Sequence, residues 1–418
     1  MISWAQLVNW CKKMNCWIPR LILLLALFYY TFIFKEKHKS IVWYCTCCFD
    51  SDFLSMFIDM NHNKILIGIT YDLRSDYLAE GYSDEETAEF DKESTIDGIE
   101  HALRTMGFVT QRIGHVKQLI QRIAKGERWD LVYNICEGMH GIAREAQVPA
   151  ILDAYQIPYV FSDPMVLALT LDKGMTKRVV RDMGIRTPDF YVVHTLDDLE
   201  YGTLSFPVFA KPIAEGTSKG IDQLSVVKNR QDLIAVCKQL LQKFRQPVII
   251  ESYLSGREFT VGIVGTGNKA SCLGVMEVTL INTAEKESYT YLNKQEWDWE
   301  GRIHYSIPEQ GIVDACTKMA LEAWKGLGCR DGGRVDIRYD ASGLPNFLEV
   351  NPLPGLNPLS SDLSLLCGLH HISYETLMDR IMQSALERLP LLPDTNQSLR
   401  LKTTPYETED HTLFKIQA

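Results

Sequence analysis

From residue 60 onward no two cysteines lie close enough in the chain to form a zinc-binding or redox pair, and no GxxxxGK[ST] phosphate loop occurs anywhere. A disulfide scaffold and a P-loop nucleotidase are thereby excluded for that body. A basic excess is also missing. Lys and Arg number 43 against 53 Asp and Glu, a formal charge of -10, so most of the surface repels a phosphate backbone and non-specific nucleic-acid binding is disfavoured. A small anionic ligand would still need only a few converging lysines. No internal repeat is found. A composition of 46% hydrophobic and 23% charged residues over 418 positions is neither disordered nor polytopic. Such a length allows two to four domains of roughly 100 to 200 residues.

The first 59 residues stand apart. They hold Cys11, Cys16, Cys45, Cys47 and Cys48, with Trp4, Trp10, Trp17 and Trp43, whereas the later cysteines are scattered singly and read as small buried hydrophobes in a reducing compartment. Residues 18–34 (IPRLILLLALFYYTFIF) are apolar apart from Arg20 and are flanked by lysines. That is the lower limit for a membrane-spanning helix. Two readings stand: a membrane anchor, or a stretch upstream of the true start. The abrupt opening of folded pattern at Met60 favours the second. The expected organisation is an N-terminal hydrophobic extension over 1–59, an α/β domain over 60–165, a small mixed domain over 186–255, a hairpin-rich domain over 256–392 and a polar tail over 393–418. In the α/β domain, KILIGIT and DLVYNIC read as buried strands, and Ile96, Ile99, Leu103 and Met106 recur at helical spacing. Strands alternating with helices predict a parallel sheet covered on both faces, and a single helix is expected around 165–183.

Three segments carry chemistry. Gly265, Gly267 and Ala270 match a dinucleotide pattern, but they lead from strand to strand and are expected to form a hairpin turn. FAKPIAEGTSKGI places Lys211 at a strand end before Glu215, Gly216, Thr217, Ser218, Lys219 and Gly220, a loop suited either to binding phosphate or to an ordinary surface hairpin. In GRVDIRY and PNFLEVN, period two puts Arg334, Asp336 and Arg338 on one face with Glu349 and Asn351, and leaves Leu348 and Val350 opposite. Two carboxylates and an amide oxygen on one face suit Mg2+. The NPLPGL turn that follows has Gly355 available for close backbone approach. His370 and His371 lack a spaced partner ligand and read as structural or surface residues.

LDKGMTKR, FAKPIAEGTSKGI, VIIESYLSGREFTV, GGRVDIRYD and FLEVNPLPGL come in the order and spacing of the ATP-grasp superfamily, and the chain from about Lys64 to Arg388 resembles the D-alanine:D-alanine ligase family. The resemblance implies an α/β fold, α+β in part, of three domains: an N-terminal parallel α/β domain, a small central lid domain and a C-terminal antiparallel-sheet domain. It implies that Lys173 and Lys211 contact nucleotide phosphates, with Glu215 and Ser218 on the nucleotide side of the loop. Glu251 and Leu254 would meet adenine and Glu258 the ribose. Asp336, Glu349 and Asn351 would bind two Mg2+ or Mn2+ ions, and Arg334 and the amide of Gly355 would stabilise the tetrahedral intermediate. Thr217 would stand at the family's loop serine, Lys294 in the lid, and Glu89 at the first-domain glutamate. The reaction implied is phosphorylation of a carboxylate by ATP and attack of an amine on the acyl phosphate, for peptidoglycan precursors in the cytoplasm or at a membrane anchor. ATP and amino acids are the implied partners, and a homodimer stays open. Three departures concern the substrate: Glu137-Gly138 for the family's His-Gly, Lys294-Gln295 for its Lys-Tyr, and the insertion YDLRSDYLAEGYSDEETAEF around Glu89. The competing readings are ligation of another amino-acid pair and an inactive nucleotide-binding scaffold.

Overall fold

The computed structural model describes residues 65–280 and 303–389, all within the second of two compact units, Lys64–Ala418. The extension 1–59 with its apolar stretch 18–34, the tail 393–418, and Lys294 and Gln295 lie outside the described residues. Among the described residues no helix is long and apolar enough to cross a membrane.

The first layer set is built on β1 (Leu66–Thr70), α1 (Arg74–Ala79), α2 (Glu93–Thr105), β2 (Val109–Gly114), α3 (Val116–Ala124), β3 (Leu131–Asn134) and α4 (Gln147–Ala154), with a parallel sheet in the order β2-β1-β3. Both faces are covered, as the alternation predicts. Ile67 and Ile69 pack with Ile96, Ile99 and Leu103 of α2, and Val132 packs on the other face with Leu119, Ile123 and Leu152. Full burial of each such side chain contributes about 1.5–3 kcal/mol. The strand-like IPYVFS meets β3 only through one bridge, Val132 to Tyr159.

The single helix expected over 165–183 is two helices, α5 (Pro164–Leu171) and α6 (Lys173–Asp182). Asp172 separates them in an extended conformation (φ -82°, ψ 99°), and its carboxylate accepts the Met175 N–H at 2.9 Å. An aspartate that caps a helix start competes with helix continuation, and the apolar spacing conceals that competition. The break makes Lys173 the first residue of α6.

Next come β4 (Phe190–Val193), β5 (Val208–Pro212), β6 (Val226–Val227), α7 (Arg230–Phe244) and β7 (Val248–Ser252), an antiparallel sheet in the order β4-β7-β5-β6. Val208, Ala210, Val248 and Ile250 pack beneath Leu233, Cys237 and Leu240 of α7. The alternate residues, Lys211 and Glu251 among them, therefore face away from α7.

The last sheet runs β10-β9-β8-β11-β12, from β8 (Glu258–Val264), β9 (Ser271–Leu280), β10 (Ile303–Ser306), β11 (Gly332–Tyr339) and β12 (Pro345–Asn351). The segment at 265–270 is the β8–β9 turn, so the glycine pattern there opens no helix. Helix α8 (Gln310–Leu327) covers one face; α9 (Asp362–Leu369) and α10 (Tyr374–Glu387) cover the other. Gly262 permits α9 to approach, since a Cβ there would lie 2.9 Å from Leu366 and 3.0 Å from Leu363. His370 Nε2 donates to Val275 O at 3.0 Å, a structural role for that ring. Leu377, Met378 and Ile381 of α10 belong to the same apolar cluster as Ile96, Ile99 and Tyr133, so the first and last sheets share one core.

A polar lock reinforces that junction. Asp331, fully buried, accepts from the Phe161 N–H at 2.7 Å, from Arg388 Nη2 at 2.6 Å and from Ser384 Oγ at 3.0 Å. Arg388 also donates to Tyr159 O at 2.6 Å. Arg388→Met would strand a buried carboxylate, and a loss of about 3–5 kcal/mol is expected in urea unfolding. Adding Asp331→Asn to that variant should recover part of the loss; no recovery would show that Arg388 acts by packing alone.

Candidate active site

A cleft between the central and last sheets encloses about 960 Å³ open to solvent, with Lys173, Lys211, Glu215, Thr217, Ser218, Glu251, Leu254, Glu258, Arg334, Asp336 and Glu349 in its walls. These are separated by up to 176 positions in sequence, since they run from Lys173 to Glu349. Asn351 lies beside them, its Nδ2 at 3.5 Å from Asp336 Oδ2. Gly355 is exposed in the turn after β12 and is not part of the cleft wall.

One wall is the β11–β12 hairpin. Asp336 stands directly opposite Glu349 and Arg334 opposite Asn351, and the register then slips so that Ile337 meets Phe347. The slip is a bulge at Leu348 that turns this side chain into the cleft beside Glu349, not onto the far face with Val350 as strict alternation predicts. Asp336 accepts from Thr260 Oγ1 at 2.9 Å and contacts Arg334. Burial pushes the Asp336 carboxyl above its ordinary range, Arg334 opposes this, and the Glu349 charge adds to it. Two carboxylates crowded on one buried face with an amide beside them form a hard-oxygen set, and the residues fit a divalent cation such as Mg2+. No group of three or more His, Cys, Asp or Glu is arranged for a metal among the described residues, so such an ion would depend on these two carboxylates, Asn351 and ligand oxygens.

The facing wall carries cations. Lys211 Nζ lies 3.1 Å from Glu251 Oε2, and Lys177 Nζ lies 2.8 Å from Glu251 Oε1. Both Glu251 oxygens therefore face lysines, each keeping lone-pair capacity for a further donor. Burial opposes charge on Lys211, yet Glu251 and Glu349 hold its pKa above the ordinary lysine value. Lys173 Nζ donates to Glu215 O at 2.6 Å and lies 3.6 Å from Glu349. Sequence reasoning missed Lys177; the available signal is its place one helical turn after Lys173 in LDKGMTKR.

Above the cleft the loop 215–220 is tied to the first domain. Glu89 accepts the Gly216 N–H, receives Arg144 Nη2 at 2.8 Å and lies 3.3 Å from Lys219 Nζ. Arg144 also donates to Ala214 O at 2.7 Å, and Lys219 lies 2.5 Å from Glu215 Oε2. The insertion thus supplies the glutamate that meets the loop. Arg144 is a further residue that the sequence reading left without a role, while Lys219, read there as part of a loop suited to phosphate, pairs with Glu89 and Glu215. Thr217 and Ser218 are both left-handed (φ 46° and 58°), a conformation costing roughly 1–2 kcal/mol per residue without a glycine. Nearby, burial raises the carboxyls of Glu137 and Glu145, the latter to about 7.

Burial would raise the Glu89 carboxyl, but Arg144, Lys219 and the Gly216 N–H overcome this and bring it to about 2 from 4.5. A depressed carboxyl stabilises the fold above its unfolded pKa and loses that contribution as pH falls through the folded value. Stability should therefore fall between about pH 4.5 and 2 by about 3 kcal/mol from this group. Denaturant unfolding against pH tests it, and Glu89→Gln should flatten that segment of the curve. An unflattened curve would assign the acid loss to other groups.

The family described as D-ala D-ala ligase C-terminus matches residues 179–383. A D-alanine:D-alanine ligase from Aquifex aeolicus is 31% identical over 261 residues, covering 62% of this chain and 84% of that protein. One from Bordetella petrii is 30% identical over 264 residues, covering 62% and 77%. Among solved structures, a Bacillus anthracis D-alanine:D-alanine ligase complexed with ATP superposes with a TM-score of 0.60 at 22% identity, covering 78% of this chain and 98% of that one. A D-Ala:D-Ser ligase from Enterococcus faecalis does so at 0.59 and 19%, covering 77% and 99%. At such identities the superpositions establish the fold alone, the mixed α/β architecture expected from the sequence.

Proposed function

The chain belongs to the D-alanine:D-alanine ligase family, and on that premise we propose that it is an ATP-dependent carboxylate-amine ligase that joins two amino acids, D-alanine among them. The observation that carries this reading is the opposition, across one cleft, of the Asp336–Glu349 pair and the cations Lys173 and Lys211. Carboxylates on one side and ammonium groups on the other suit a nucleotide triphosphate between them.

In this reading Lys173 and Lys211 hold the phosphates, Glu251 and the backbone of Leu254 meet adenine, and Glu258 takes the ribose. Asp336, Glu349 and Asn351 would hold Mg2+ or Mn2+, which supplies charge neutralisation at the transferring phosphoryl group. The carboxylate of the first amino acid attacks the γ-phosphorus of ATP and ADP departs. The amine of the second attacks the acyl carbon, losing a proton, and inorganic phosphate leaves. Arg334, buried beside Asp336, is placed to stabilise the oxyanion between those events; Gly355, outside the wall, has less support for the same role. Thr217 and Ser218 in the loop, with Lys294 in the lid, would keep water from the acyl phosphate. A cell-wall precursor made in the cytoplasm fits this chemistry, and the free cysteines of the described body fit a reducing compartment.

An inactive scaffold has no need of Asp336, Glu349 and Arg334 together. Glu349→Ala is expected to lower ATP turnover about a hundredfold or more while the melting curve stays near wild type. Near-normal turnover in the purified variant would remove Glu349 from the reaction.

The acceptor is expected to differ from D-alanine alone, because Thr217 adds a methyl at the loop, Glu137 replaces the family's histidine, and Gln295 replaces its lid tyrosine. Phosphate release screened with D-alanine alone and with D-alanine plus other D-amino acids, D-lactate or L-amino acids measures this. A strict preference for D-alanine as both substrates would contradict it.

A further inference from the structure

Lys177 is fully buried, does not line the cleft, and has three polar partners for its three N–H donors. They are Glu251 Oε1 at 2.8 Å, Thr187 Oγ1 at 3.1 Å and Phe347 O at 3.3 Å. Thr187 Oγ1 closes the triangle by donating to Phe347 O at 2.9 Å. The ammonium thus joins α6, the segment leading into β4, β7 and the residue preceding the Leu348 bulge of β12. Across Glu251, Lys211 Nζ sits 3.1 Å from the other oxygen.

A buried carboxylate between two ammonium groups needs both less than a carboxylate with one needs its sole partner. We infer that Lys177 is a positioning residue for nucleotide binding: by sharing the charge of Glu251 it lets Lys211 turn its ammonium toward an incoming polyphosphate. Without Lys177, Lys211 becomes the sole counter-charge of Glu251 and its transfer to phosphate leaves a buried carboxylate alone. Lys177 never touches the nucleotide; it acts through Glu251 on Lys211. This inference rests on the nucleotide reading proposed above and adds a residue to it.

The groups facing Lys177 support the same direction. Burial lowers its pKa to about 8, against Glu251 on β7 and Glu349 on β12, which raise it, and Lys211 on β5, which lowers it further. The protonated form is the one that shares Glu251, so nucleotide affinity should weaken as pH rises through that value.

The experiment is a double-substitution cycle on the full chain, with ATP and Mg2+ binding measured by titration calorimetry and KM and kcat by phosphate release. Lys177→Met is expected to weaken ATP binding roughly tenfold, as loss of one charged hydrogen bond does, and to raise the KM for ATP more than it lowers kcat. In a Lys211→Ala background the same substitution should change ATP affinity by less than about twofold, because the residue through which it acts is gone. Full additivity of the two losses would overturn the inference. If Lys177→Met does not fold, Lys177→Gln keeps N–H donors without the charge and should show the same non-additivity. Wild-type ATP affinity at pH 7 and 9 is a readout that needs no variant; an affinity unchanged between them also overturns the inference. Absence of ATP binding by the wild type would instead overturn the nucleotide reading itself.

Discussion

Asp336 and Glu349 are set opposite each other on paired antiparallel strands, and their mutual repulsion under burial is the constraint around which the cleft is arranged. Two carboxylates at one register position destabilise a hairpin unless positive charge lies close. Arg334 answers from the same strand and Lys173 from the start of α6, 3.6 Å from Glu349. Apolar burial on the other side keeps the strands paired despite the repulsion, since Val335, Ile337, Phe347 and Val350 are all enclosed under α8. The site is therefore a place where the fold tolerates unfavourable electrostatics because packing behind it is complete.

That packing extends beyond the last domain. Helix α10 lies in the same apolar cluster as α2, so the last sheet and the parallel sheet share one core, joined further by Asp331 and Arg388. The central sheet has its own core beneath α7 and meets the rest through a second apolar cluster, Leu171 of α5 with Ile213, Ala214 and Ile249, as well as through Lys177, Thr187 and the loop contacts of Glu89.

Much of this was legible in the residues. The period-two pattern of GRVDIRY and PNFLEVN brings Asp336 against Glu349, and the apolar runs KILIGIT and DLVYNIC place the parallel sheet. The bulge at Leu348 was not legible, because an inserted residue in one strand leaves no mark in its own polarity and shows only against its partner. Nor was the helix break at Asp172, where a cap overrides an unbroken apolar spacing. Lys177 and Arg144 were hidden for a different reason. A charged residue in a helix or loop reads as solvated until the fold shows that three chain segments close around it.

Loop 215–220 shows how function can rest on a locally unfavourable conformation. Thr217 and Ser218 would both relax out of the left-handed region if the loop were unsupported. Their neighbours prevent it: Gly216 N–H is fixed by Glu89, Lys219 is fixed by Glu89 and Glu215, and Ala214 O is fixed by Arg144. Glu89 of the first domain's insertion supplies two of these supports, and Arg144, outside the insertion but paired with Glu89, supplies the third. One of the departures from the family pattern, the insertion, thus helps hold loop 215–220 in place through Glu89. A change in the first domain can consequently alter the loop without touching Lys211, Asp336 or Glu349, which on the proposed reading face the nucleotide. On the proposed ligase reading, separate support for the two halves of the cleft would let acceptor choice drift while phosphoryl transfer is retained.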